Sequence, residues 1–144
     1  MKVIDQAIVV EQEFNCSKEK LWKTITDLTQ MRQWFFPNIP AFEAKKGFQT
    51  QFTVQAETRS FIHLWEILEV ITEQKIVYNW KYEEYQGSAT VCFDLIEKEN
   101  QSILRLTNTV LEDFDDRIPE FRRESCLEGW KYFIQQSLPS FLDQ

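Results

Sequence analysis

The sequence predicts an α+β fold in which a curved antiparallel sheet of six or seven strands wraps around one long C-terminal helix. Two patterns carry this prediction. In residues 121–142, Cys126, Leu127, Trp130, Phe133, Ile134, Leu138, Phe141 and Leu142 recur at three- and four-residue steps, which makes one broad apolar stripe at helical period. Most of the chain from residue 48 to residue 110 instead alternates apolar and polar residues at period two, the mark of strands with one buried face. Length supports a single unit: 144 residues, read as one domain over 1–144, bury roughly 68–70% of the surface the unfolded chain exposes, so neither disulfides nor metal are needed.

The first strand is expected over residues 3–14, with Ile4, Gln6, Ile8, Val10, Gln12 and Phe14 on one side. Ser17 then suits a helix N-cap and Glu19 the first turn, where the helix dipole favours an anion. Leu21, Trp22, Ile25 and Leu28 give the stripe of a helix over about 18–33. Trp34, Phe35, Phe36, Pro37, Asn38, Ile39 and Pro40 end it, because proline has no N–H to donate and disfavours helix in the residue before it.

From Ala41 the chain reads as consecutive strands, with Gly47 separating a short one from a longer one over 48–57. Phe48, Thr50, Phe52, Val54 and Ala56 share a face of the latter. Further strands are expected over 61–71 and over 75–82, where Ile76, Tyr78, Trp80 and Tyr82 point one way. Gly87 and Ser88 mark a turn. Ala89, Val91, Phe93 and Leu95 alternate on the next strand, residues 97–101 form a polar turn, and Leu104, Leu106, Asn108 and Val110 alternate on the last. Pro119 suits a first helical turn, so the final helix is expected from about 119 to at least 138, with a kink or stop at Pro139.

Charge excludes some functions. The 23 acidic residues against 16 basic ones give a net charge of -7 without a basic stripe, which repels a phosphate backbone; nucleic acid is not an expected partner. Cys16, Cys92 and Cys126 are odd in number and show no Cys-x-x-Cys spacing, as suits buried free thiols in a reduced compartment. No run is long enough to cross a bilayer and no leader is apparent, so a cytoplasmic protein without membrane insertion is expected.

Trp34, Phe36, Phe52, Trp80, Tyr82, Phe93, Trp130 and Phe133 point inward by parity or helical phase. Aromatic walls with a few polar tips are what a small apolar ligand needs, although the same rings can simply fill a core. Gly129, in mid-helix, costs roughly 1 kcal/mol against alanine, which a close approach of sheet backbone or a bulky neighbour would compensate. His63 shares parity with Phe61, Trp65 and Ile67 and reads as structural or exposed, since no serine or cysteine is placed as its nucleophile. Glu66 and Asp94 are the remaining strand acids that could enter a cavity, though strand carboxylates more often face solvent. Glu112, Asp113, Asp115 and Asp116 lack the glycine and distal glutamate of a calcium loop and read as a solvated turn, offset by Arg117, Arg122 and Arg123. No motif calls for a metal or cofactor.

Residues 17–27 with Trp34 and Phe35, residues 68–80, Leu104 to Thr107, and Gly129 with Trp130 form an ordered set of four stretches. Taken in that order, they resemble the C-terminal domain of the activator of Hsp90 ATPase, a branch of the START and Bet v 1-like superfamily with the helix-grip fold. The resemblance implies a sheet gripping the last helix, often around an apolar cavity for lipids, polyketides or aromatics. Full activators also carry a separate N-terminal domain with an Asn- and Trp-rich motif that acts on the chaperone. Nothing in these residues corresponds to it, so Hsp90 stimulation is not expected. The loop after Glu69 and Val70 also lacks the family's proline pair. Binding of a small hydrophobic molecule is the leading expectation. A cyclase- or aromatase-like enzyme using His63, Glu66 and Asp94, and a chaperone-associated interaction module, are the alternatives.

Overall fold

The alternating segments form strands β1 (Ile8–Phe14), β2 (Gln49–Gln55), β3 (Ser60–Ile71), β4 (Lys75–Tyr82), β5 (Ser88–Lys98) and β6 (Gln101–Glu112) in a computed structural model that describes residues 1–143. They make one antiparallel sheet in the order β1-β6-β5-β4-β3-β2. Its inner face carries Ile76 and Tyr78, Val91 and Phe93, and Leu104 and Leu106, all buried. Against them lie Trp130, Ile134 and Leu138 of the C-terminal helix, so the sheet grips that helix as expected.

Two bulges bend the sheet. Ile67 pairs with Tyr78 and Glu69 with Val77, which leaves Leu68 as an extra residue in β3. Ser88 pairs with Glu112 but Ala89 with Val110, which does the same for Leu111 in β6. Each extra residue flips side-chain parity and raises the local twist, which curls a flat ladder toward the helix.

Four boundaries differ from the sequence reading. β1 begins at Ile8 rather than residue 3, because the chain before it is held elsewhere: the amino group of Met1 lies 2.6 Å from Asp116 Oδ1 and donates to the Phe121 carbonyl at 2.8 Å, and the Val3 amide donates to Asp113 Oδ1 at 2.6 Å. The first helix is two. α1 (Lys18–Thr26) and α2 (Leu28–Trp34) meet at Asp27, whose N–H closes the first on the Lys23 carbonyl and whose carboxylate accepts from the Gln30 N–H at 3.1 Å to open the second.

No strand precedes Gly47. Residues 35–48 form an irregular connection tied by Arg32 Nε to the Ile39 carbonyl (2.9 Å) and Asn38 Nδ2 to the Thr53 carbonyl (2.6 Å). The final helix starts later than expected and, in keeping with an end at or beyond residue 138, runs on past Pro139 without stopping. Pro119–Phe121 is a separate 3-10 turn, α3 (Arg123–Lys131) follows, Tyr132–Ser137 widens to a π segment, and α4 (Leu138–Leu142) continues through Pro139. In the wide segment the Leu138 N–H reaches back five residues to the Phe133 carbonyl. That slack one turn before the proline gives its ring room and removes the need for a stop.

Candidate functional site

Three consecutive aromatics close α2 and fill one end of the grip. Trp34 is fixed by its Nε1 donating to the Thr24 carbonyl at 2.8 Å, and Phe35 stacks on it with centroids 4.6 Å apart at 6°. Phe35 then meets Trp65, Trp80, Phe93, Trp130 and Phe133 at centroid distances of 4.8 to 6.4 Å. Ser137 Oγ donates to the Trp34 carbonyl at 2.6 Å, which pins the C-terminal helix to the same end.

The other end is not filled. A cavity of about 150 Å³ lies between the concave sheet and α3. Its sheet wall is His63, Trp80, Tyr82, Ala89, Val91 and Asn108, and its helix wall is Cys126, Gly129, Trp130 and Phe133. Phe36, Met1, Phe114 and Phe121 close the ends, and the exposed Glu120 brings the cavity to the surface. Gly87 has φ +116, and a Cβ there would collide with the Phe114 ring, so this turn must be glycine for Phe114 to seat. Gly129 is the opposite case. A Cβ on it would meet no atom within 4 Å, so the glycine faces open space and not the close approach that the sequence suggested.

Of the eight aromatics expected around a cavity, Phe36, Trp80, Tyr82, Trp130 and Phe133 line it. The other three belong to the solid end or its border. Trp34 is spent on Phe35, Phe52 stacks on His63 at 5.1 Å and meets Trp65 edge-on at 4.8 Å, and Phe93 packs between Tyr78 and Trp130. Sequence reasoning missed Phe114 and Phe121, which sit among charged residues, and did not single out Asn108, a polar side chain on an otherwise apolar parity. Phe35, the hub of the ring cluster, was also missed because three rings in a row give no phase.

His63 is enclosed, not exposed. Its Nδ1 lies 3.2 Å from the Phe61 carbonyl, so that nitrogen carries the proton and Nε2 is left as an acceptor. Burial holds its pKa down at about 4, so the ring is neutral near pH 7. Tyr82 Oη accepts from Trp80 Nε1 at 3.0 Å, and burial pushes its phenol well above the usual range. Asn108 Nδ2 donates to Cys126 Sγ at 3.0 Å, while Asn108 Oδ1 is buried without a partner. Burial pushes the Cys126 thiol up to about 11.

Glu66 and Asp94 do not join His63. Glu66 lines a shallow polar hollow on the outer face with Gln49, Gln51, Asn79 and Lys81, and Asp94 accepts from Cys92 Sγ at 3.3 Å on the same outer side. Neither an imidazole with a pKa near 4 nor a thiol near 11 is tuned for proton transfer or nucleophilic attack at neutral pH. The arrangement can hold an uncharged ring. Among the described residues no three His, Cys, Asp or Glu side chains converge to hold a metal ion. The acidic cluster is spent on neighbours: Asp115 pairs with Arg117 at 2.9 Å, and Asp116 with the Met1 amino group at 2.6 Å. No helix among the described residues is long and apolar enough to cross a membrane.

Residues 15–143 match the family model described as Activator of Hsp90 ATPase homolog 1-like protein. No curated protein matches the chain in sequence. A Chromobacterium violaceum protein of solved structure superposes with a TM-score of 0.79 at 15% identity, covering 96% of this chain and 97% of its own. An Hsp90 activator from Plasmodium falciparum does so with a TM-score of 0.74 at 20% identity, over 96% of this chain and 97% of that one. A protein of the dynemicin biosynthetic locus gives a TM-score of 0.76 at 16% identity and covers 97% of this chain but 48% of its own, so the present chain spans about half its length. At such identities the likeness is one of fold, the helix grip.

Proposed function

The chain belongs to the Activator of Hsp90 ATPase homolog 1-like family, and from that premise we propose that it binds a small hydrophobic molecule between its sheet and its C-terminal helix. The observation that carries this reading is the void itself. Protein interiors pack like organic crystals and leave few gaps larger than a water molecule. The cavity of about 150 Å³ opens to the surface at Glu120, so a guest can enter it from solvent. Apolar cavities of that size in another protein take up single aromatic rings. A helical residue without a side chain, facing that space, keeps it open.

The test is a titration of the labelled protein with fatty acids, sterols, flavonoids and single-ring aromatics, followed through amide resonances. Saturable shifts at Trp80, Gly129 and Trp130 are expected for at least one class. A spectrum indifferent to all of them would overturn the reading.

The family match and the likeness to the Plasmodium activator favour a second reading, association with an Hsp90-type chaperone. With a net charge of -7, such contact would use the acidic surface and weaken as salt rises. Binding indifferent to salt would count against it.

A further inference from the structure

We propose that residues 1–7 form a strap with two positions: the one seen ties down the mouth of the cavity, and in the other residues 4–7 lengthen β1 along β6 and leave the mouth wide. The position seen rests on few bonds. Met1 is 7% exposed and lines the cavity. Its amino group reaches Asp116 Oδ1 at 2.6 Å and the Phe121 carbonyl at 2.8 Å, and its carbonyl accepts from the Phe114 N–H at 2.8 Å. The Val3 N–H adds a bond to Asp113 Oδ1 at 2.6 Å. Phe114, Glu120 and Phe121, which rim and close the cavity, all belong to the stretch tied in this way. Beyond Met1 the strap buries little, since Val3 is 54% and Ile4 91% exposed. A segment with one buried side chain and a handful of exposed bonds belongs to the low-stability end of a fold.

The second position is vacant among the described residues. β1 pairs with β6 only from Ile8, opposite Asn108, to Phe14, opposite Ser102, whereas β6 runs on to Glu112. Continuing that register sets Ala7 opposite Thr109 and Gln6 opposite Val110. Alternation fixes the direction of the bonds. The Glu11 carbonyl accepts from Gln135 Nε2 on the outer edge of β1, so the even-numbered residues of β1 turn their backbone groups toward their even-numbered partners on β6. Val110 thus aims its N–H and C=O at the place Gln6 would take. Gln6 is held off that place, because its carbonyl accepts from Arg123 Nη1 at 2.5 Å instead.

The apolar pattern suits the vacant position. Ile4 shares parity with the buried Ile8 and Val10, so a longer β1 would turn it to the inner face. Val3, Ile4, Val9 and Leu111 are four of the six large apolar side chains left exposed among the described residues, and all lie along this one junction. Moving the strap would cover part of that surface and would free Phe114 and Phe121 from Met1. Two arrangements of the same seven residues therefore compete, and whatever weakens the ties at Asp113 and Asp116 favours the open one.

The experiment follows amide hydrogen exchange in the wild type, in the double variant Asp113→Ala with Asp116→Ala, and in that variant with Ile4→Asp added. Removing the two carboxylates is expected to slow exchange at Gln6 and Val110 by roughly tenfold while exchange at Phe114, now without the Met1 carbonyl, speeds up by a similar factor. Opposite changes at the two ends mark a strap that has moved; simple fraying would speed all three. Ile4→Asp is harmless where Ile4 faces water but sets a carboxylate on the inner face of a longer β1, so it should return Gln6 and Val110 to wild-type rates. Toluene, a probe of the size of the cavity, should enter the double variant about tenfold faster than the wild type, read from line shapes at Gly129 and Trp130. Gln6 and Val110 amides that exchange as fast in the double variant as in the wild type, or stay slow after Ile4→Asp, would overturn the second position. Slow exchange there with toluene entry and Phe114 unchanged would overturn the hold on the mouth. If toluene binds none of the three proteins, the binding reading of the cavity falls, and the strap is still decided by Gln6, Val110 and Phe114.

Discussion

A histidine wrapped in rings ties stability to pH, with a sign set by burial. His63 is 6% exposed and has Phe36, Phe52, Trp80 and Tyr82 at centroid distances of 4.8 to 5.5 Å. Its pKa is about 4 in the fold against 6.5 for the free side chain. The unfolded chain therefore takes the proton first as pH falls, so the contribution is intact above about 6.5 and is lost progressively toward 4, by on the order of 3 kcal/mol. Urea unfolding at pH 7 and pH 4.5 should show His63→Leu losing less stability between the two than the wild type; parallel losses would mean the imidazole is already charged in the fold. Gly129→Ala should raise stability by up to about 1 kcal/mol, since alanine is the better helix former and its methyl meets nothing. The same methyl enters the cavity, so affinity for a ring should fall, and a destabilised variant would show that the helix wall lies closer than described. Asn108 and Gly129 were both visible in the sequence as breaches of local pattern, one polar on an apolar parity, one glycine in mid-helix. That they border the same void depends on the spacing between sheet and helix, which no periodicity encodes.

At the scale of elements, Asp27 joins two helices that the sequence pattern runs together. Leu21, Ile25 and Leu28 keep three- and four-residue spacing straight through the break, so the apolar stripe conceals it. The clue was the residue type, since aspartate favours caps over helix interiors. Asp27→Ala should cost about 1 kcal/mol in a urea melt by stranding the Gln30 N–H, which the carboxylate now receives at 3.1 Å; an unshifted midpoint would mean that water replaces the cap at no cost. Pro139 is the converse. Proline was a sound reason to expect an interruption, but the interruption is expressed one turn earlier as the wide Tyr132–Ser137 segment, and the helix axis continues to Leu142. Strand interiors were the most legible elements because alternation over seven to twelve residues leaves one parity for the core. Their ends were less so: β1 loses its first residues to bonds with Asp113 and Asp116, more than a hundred positions away in sequence.

For the whole molecule, the grip depends on the indole of Trp130, which is 5% exposed and touches Trp80 at 5.4 Å and Phe93 at 6.1 Å across the sheet. Trp130→Ala should destabilise by about 3–5 kcal/mol, as large aromatic truncations in cores do. A midpoint in urea that barely moves would show that helix and sheet are held together elsewhere. The architecture was legible because a helical stripe following six alternating segments can bury itself in only one way, inside the curve of the sheet. The division of that interior into a solid end around Phe35 and an open end around Asn108 was not, because both ends use the same residue types. The open end also has a volumetric consequence. An apolar pocket that water fills poorly is the least densely packed part of the fold, so hydrostatic pressure acts first there. Amide signals near Tyr82, Ala89 and Gly129 should respond to compression before those near Phe35 and Phe93, and a guest that fills the space should make the two ends equally stiff.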